Sequence, residues 1–228
     1  MILVEPNIIK KTDIDNSLII TVAEMGKYLN LSTSAITAHT DILTELIITA
    51  TEVIENYTWL TLRKTIYEAN YDLNYNLFCN LTNLKLVLNR SPIFRLSNIT
   101  KIEYLNNDIY TEFDRGILSV EGLYENVTER KEMRKWASIY FIEEIPFQER
   151  LNSYSIKITF QAGYDISEIE EEYKIPQALK TAIKKIVAFH YRNRGDCEES
   201  KCDLNGYPVP CSAKGIIDGY SIARTVLV

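Results

Sequence analysis

The chain has 228 residues, a formal net charge of −6 at pH 7, 46% hydrophobic and 25% charged residues, and four cysteines. That length suits one well-buried domain with appendages, or two small domains. The acidic balance excludes a surface built mainly to neutralise phosphates, and no apolar run approaches the roughly 20 residues that span a bilayer.

The opening "MILVEPNIIKK" has neither a charged n-region nor an adequate apolar h-region, so it does not read as a signal peptide. The expectation is work in a cytoplasm, or in a particle assembled there. Asn-x-Ser/Thr triplets, such as those at Asn30 and Asn56, are then chance products of composition. Cys79, Cys197, Cys202 and Cys211 are expected as reduced thiols.

Residues 1–20 read as an extended arm. "TVAE" at Thr21 to Glu24 is a capping-box pattern, which predicts a short helix over 22–29. A longer helix is predicted over 41–57, where Leu43, Leu46, Ile47, Ala50, Val53, Ile54 and Tyr57 share one face. Glu45, Glu52 and Glu55 fall on the opposite side, as an acidic back.

The middle of the chain reads as strands at 63–69, 84–90, 99–105, 116–120, 137–144 and 154–162, all rich in β-branched and aromatic residues. "SPI" (91–93) and "NND" (106–108) supply turn chemistry. The charged segment 125–135 is compatible with a short helix or a loop.

"IPQALKTAIKKIVAFHYRNRG" (175–195) predicts another helix, with Pro176 at its first position and Gly195 just past its end. Leu179, Ala182, Ile183, Ile186, Val187 and His190 form the buried stripe, while Lys180, Lys184, Lys185 and Arg192 project from the other side. Residues 196–228 are punctuated by glycine and proline. They close on "YSIARTVLV", whose alternation suits a strand added to another protein's sheet through Tyr220, Ile222, Arg224, Val226 and Val228.

Little here resembles a catalytic centre. His190 lies on an apolar stripe, where a hydrogen-bonded imidazole is the commoner outcome, and no substrate-facing partner accompanies it. His39 reads as an isolated surface or capping residue. Cys197, Cys202, Cys211 and His190 lack the short cysteine spacing of structural zinc sites. There is no phosphate loop, nucleophile elbow or zincin motif. The lysine comb keeps a second reading open, a DNA-binding or packaging-associated protein, against the acidity of the remaining chain.

The order of elements resembles the head–tail connector family of tailed phages, also called adaptor or head-completion proteins. The resemblance rests on "TVAEMGKYLNL" (21–31), "ELIITATEVIENYTW" (45–59), "NRSPIFRLSNITKIEYL" (89–105), "ITFQAGYD" (158–165) and the 175–195 helix. Residues 106–153 are longer than a compact member needs, and the tail after Gly195 lacks the family's closing pattern.

The expected fold is α+β. A small antiparallel helical core, made of two N-terminal helices and a late long helix, carries an inserted antiparallel β region and an extended C-terminal tail. The boundaries are an arm at 1–20, a core at 21–195 with a β-rich insertion at about 106–153, and a tail at 196–228. The resemblance implies a non-enzymatic virion protein in a ring of about twelve copies, closed through heterologous faces. The portal protein would sit above it and tail or neck proteins below. DNA would pass without sequence-specific binding, and no cofactor, metal or membrane would be involved. Glu45, Glu52 and Glu55 on one copy would face Lys180, Lys184, Lys185 and Arg192 on the next, and the closing strand would dock on the portal.

Overall fold

A computed structural model describes residues 2–14, 17–74, 84–106, 109–112, 118–123, 136–141, 153–164, 174–193 and 202–221. The fold is mixed α+β, and the chain divides into two compact units, one of strands and one mainly of helices. It passes from the helical unit to the β unit after Arg63 and returns after Gly163.

The β unit contains nine strands among the described residues: β1 (Ile2–Val4), β2 (Ile8–Ile14), β3 (Thr65–Asn74), β4 (Leu84–Val87), β5 (Ile99–Asn106), β6 (Ile109–Glu112), β7 (Leu118–Glu121), β8 (Ser138–Phe141) and β9 (Ser153–Ala162). One sheet runs β1-β4-β8-β7 and the other β2-β3-β9-β5-β6. Period-two burial sets their inner faces. Ile156, Ile158, Phe160 and Ala162 of β9, with Tyr67, Ala69 and Tyr71 of β3, join Leu86 and Ile139 of the other sheet in one core. Tyr67 stands opposite Phe160 in the ladder and stacks on it at 5.6 Å. The buried Tyr71 hydroxyl donates to the Val87 carbonyl at 2.7 Å, which joins the two sheets by a polar contact.

Two of the phrases carrying the family resemblance meet here. The Ser91–Pro92 bond is cis, and Gly163 N–H donates to the Pro92 carbonyl at 2.9 Å. Gly163 holds φ at 104°, which side chains beyond Cα disfavour.

The helical unit comprises α1 (Val22–Tyr28), α2 (Thr33–Ala38), α3 (Thr40–Thr58), α4 (Gln177–Arg192) and α5 (Cys211–Asp218), with a hairpin of β10 (Asp203–Leu204) and β11 (Tyr207–Pro208). The Thr21 hydroxyl accepts from Glu24 N–H, as the capping pattern predicts. Gly26 lets α2 approach α1, because a Cβ there would lie 2.4 Å from Ile36 Cδ1. Apolar stripes of α3 (Leu43, Ile47, Ala50, Ile54), α4 (Leu179, Ile183, Ile186) and α5 (Ala213, Ile217) are fully buried and form this unit's core.

The structure corrects several boundaries. Residues 2–14 are extended, as expected of the arm, but belong to the sheets, since β1 pairs parallel with β4 and β2 pairs antiparallel with β3. An extended segment with unpaired backbone groups gains hydrogen bonds by extending each sheet. The N-terminal segment thus adds a strand to each sheet, and the β1–β4 pair is parallel rather than antiparallel. Pro176 is the N-cap of α4 rather than its first residue. The expected loose tail holds a hairpin and α5, and Cys202 and Cys211 form a disulfide instead of free thiols. Cys79, Cys197, Gly195, the segment 125–135 and the "NND" turn tip lie outside the described residues.

Between β5 and β9, Glu103 is 7% exposed at its side chain and pairs with Lys101 at 2.7 Å and Lys157 at 3.2 Å. Burial pushes its carboxyl upward, but the hydrogen bonds from the two lysines outweigh burial and hold it below the usual range. Stability from the charged cluster is thus complete above the unfolded carboxyl value and disappears as pH falls through the folded one. Glu103→Gln is expected to lower the Tm at pH 7 and to flatten its fall below pH 4.5. Calorimetry across that range checks this, and an unchanged acid limb would refute the assignment.

Candidate assembly surface

The sequence reading pointed to helix faces, and the structure sorts their charges into two kinds. Glu45 and Glu52 of α3 and Arg192 of α4 are exposed, while Lys180 and Lys185 are half-buried. Glu55 and Lys184, by contrast, are engaged inside the subunit.

Glu55 is 4% exposed, which corrects its place on an acidic back. Helix α3 ends at Trp59, which takes the left-handed conformation at φ 61°, and the chain then doubles back through Leu60 and Leu62 into the core. The Glu55 carboxylate accepts from Leu62 N–H at 2.7 Å and from Arg63 N–H at 3.4 Å. It satisfies donors that the turn would otherwise bury without partners. Arg63 in turn approaches the exposed Glu52 at 4.0 Å.

Lys184, expected to face a neighbouring copy, reaches Glu24 of α1 at 2.6 Å with its side chain 14% exposed. The basic comb is therefore interrupted at its middle tooth. That contact ties α4 to the first helical turn of α1.

The far end of α4 involves both histidines, His190 on the helix itself and His39, between α2 and α3, through Tyr191. His190 Nε2–H donates to the Pro208 carbonyl at 2.8 Å, and its ring lies 4.6 Å from that of Tyr207. This agrees with the reading of a hydrogen-bonded imidazole, here partly buried. His39 is not isolated, since its Nδ1 shares a hydrogen bond with the Tyr191 hydroxyl. Cys202 and Cys211 are joined to each other and so are not free thiolates for a metal, while Cys197 lies outside the described residues. No group of three metal-ligating side chains occurs among the described residues.

A polar cluster absent from the sequence reading fastens α5. The Tyr57 hydroxyl donates to Asp218 Oδ1 at 2.6 Å, and Lys214 Nζ donates to Tyr57 Oη at 2.8 Å and to Asp218 Oδ1 at 3.0 Å. Hydrogen bonds from Tyr57 and then Lys214 hold the Asp218 carboxyl below its ordinary value, and bonds to Tyr57 and then Asp218 raise Lys214. Tyr57 is the tyrosine of the "ENYTW" phrase, and its spacing gave no sign of these partners. Tyr220, expected on a docking strand, instead donates its N–H to the Ile217 carbonyl in the turn that closes α5. Ile222, Arg224, Val226 and Val228 lie outside the described residues.

No protein family and no curated protein matches this sequence. Solved structures do match. A chain in the neck of the empty gene transfer agent (GTA) particle, with C6 symmetry, has a TM-score of 0.65 at 17% identity, covering 96% of this chain and 97% of that one. A chain in the virion of the native GTA particle gives 0.66 at 15%, and one in the native neck with C12 symmetry gives 0.56 at 16%, both with the same coverage. The chain shares the fold of these particle chains. The connector resemblance read from the sequence is consistent with that fold. No helix among the described residues is long and apolar enough to cross a membrane.

Glu55→Ala is expected to cost about 2 to 3 kcal/mol, because a charged acceptor of buried amides is lost. Glu45→Ala, at an exposed position, should stay within about 0.5 kcal/mol. Urea denaturation of the two variants checks the contrast, and equal effects would contradict the buried role of Glu55.

Proposed function

We propose that this chain is a structural, non-enzymatic subunit of a particle neck, one of about twelve copies in a ring. The ring lies below the portal and extends the DNA channel from the filled head toward the tail. One observation carries the reading: a likeness spanning 96% of this chain to chains in GTA necks with C6 and C12 symmetry. Supporting it, both histidines are engaged in contacts within the helical unit.

In this reading the portal protein sits above the ring and tail or neck proteins below. The site of action is the virion neck, with assembly in the host cytoplasm. DNA passes without sequence-specific contact, and the net charge of −6 limits adhesion of the duplex to the wall. Neighbouring copies are registered by helix charges, the exposed Glu45 and Glu52 against the half-buried Lys180 and Lys185 and the exposed Arg192. Surface pairs contribute only about 0.2 to 1 kcal/mol each, so they align subunits and apolar contact holds them. The closing residues, including Ile222, Arg224, Val226 and Val228, dock on the portal.

Because Asp218 and Tyr220 belong to α5 and its closing turn, a truncation that spares the fold must end at Ser221. That variant is expected to melt with the full chain yet be missing from particle necks under antibody labelling, where the full chain is found. Labelling of the full chain elsewhere on the particle, or undiminished incorporation of the truncated one, would contradict the proposal.

A further inference from the structure

The sheet β2-β3-β9-β5-β6 has five strands, and every neighbouring pair in it is antiparallel. With an odd number of strands, its two edges, β2 and β6, run in the same direction. Each edge pairs on one side only among the described residues, so each presents a row of backbone donors and acceptors outward. Each also exposes apolar surface: Ile8 on β2 is 61% exposed, while Ile109 and Tyr110 on β6 are 69% and 38% exposed. All four residues of β6 are exposed.

The charges of the two edges differ in sign. β2 carries exposed Lys10 and Lys11 with Asp13, whereas β6 carries exposed Glu112. Antiparallel pairing of β2 with another β2 sets Lys11 against Lys11, whereas pairing β6 with another β6 sets Glu112 against Ile109 and gives it no opposite charge. Like charges across a strand pair disfavour the first, and the second gains no charge contact. Pairing β6 with β2 brings opposite charges and the exposed isoleucines together.

We propose that the occupant of each edge is a second copy of this chain, with β6 of one subunit adding parallel to β2 of the next. The contact is heterologous by construction, because it uses two different edges. Shared direction lets it repeat without inverting a subunit, which is what closing a ring needs. A two-fold dimer through either edge would instead be antiparallel. The inference rests on the ring reading and names its interface.

The test is thiol cross-linking of full-length protein with a short bis-maleimide, after Ile8→Cys, Ile109→Cys or both substitutions. The double variant is expected to give a ladder of covalent multimers, with each single variant no more cross-linked than the unsubstituted chain. Lys10→Glu with Lys11→Glu should raise the concentration needed for assembly by about tenfold, and adding Glu112→Lys should restore it. Thermal melts of each variant confirm folding. Dimers from a single variant overturn the heterologous pairing. A ring seen by light scattering, with no ladder from the double variant and no effect of the charge changes, overturns this interface and leaves the ring reading intact. Monomers at every concentration overturn both.

Discussion

Glu55 sits where α3 ends, its carboxylate 2.7 Å from Leu62 N–H, one residue before the chain leaves the helical unit after Arg63. A buried carboxylate survives only when its hydrogen bonds replace water. Here the donors are the amides of a chain reversed through a left-handed Trp59. The return of Leu60 and Leu62 into the core depends on this arrangement. It also changes what α3 shows outside, because one of its four acidic residues is turned to internal use.

The same inward engagement recurs across the helical unit. Lys184 is held by Glu24, His190 by the Pro208 carbonyl, and α5 by Tyr57 through Lys214 and Asp218. Lys184, which looked like a candidate contact for a partner, acts with these side chains as a fastening inside the unit. Outside, Glu45, Glu52 and Arg192 remain exposed, and the edge strands β2 and β6 expose Ile8, Ile109 and Tyr110. The proposed ring needs this division, since each subunit's own fold must persist while its outer surfaces meet identical copies.

Elements with strong period or capping were legible in the sequence. Thr21 and Glu24 marked α1, the apolar stripes marked α3 and α4, and alternation marked β3 and β9 within a few residues. The misses share a cause in tertiary context. Helix α2 is six residues with none buried, capped by Ser32, and so has no apolar stripe to read. Helix α5 contains Gly215 and follows two prolines; a disulfide at its start and the Tyr57 cluster at its end stabilise it, and neither is encoded locally. β1 and β2 looked like an arm because their partners lie more than fifty residues away. Glu55 falls at the border of the α3 stripe, one residue from Ile54 and four from buried Thr51, where periodicity alone does not assign a face.

The central claim is that identical copies of this 26.3 kDa chain close into a symmetric collar. Native mass spectrometry of the assembled species tests it most directly. The account predicts one dominant mass at about twelve times that of the chain, dissociating to single subunits. A spectrum holding only the monomer, or a two-fold dimer that does not grow with concentration, would contradict it.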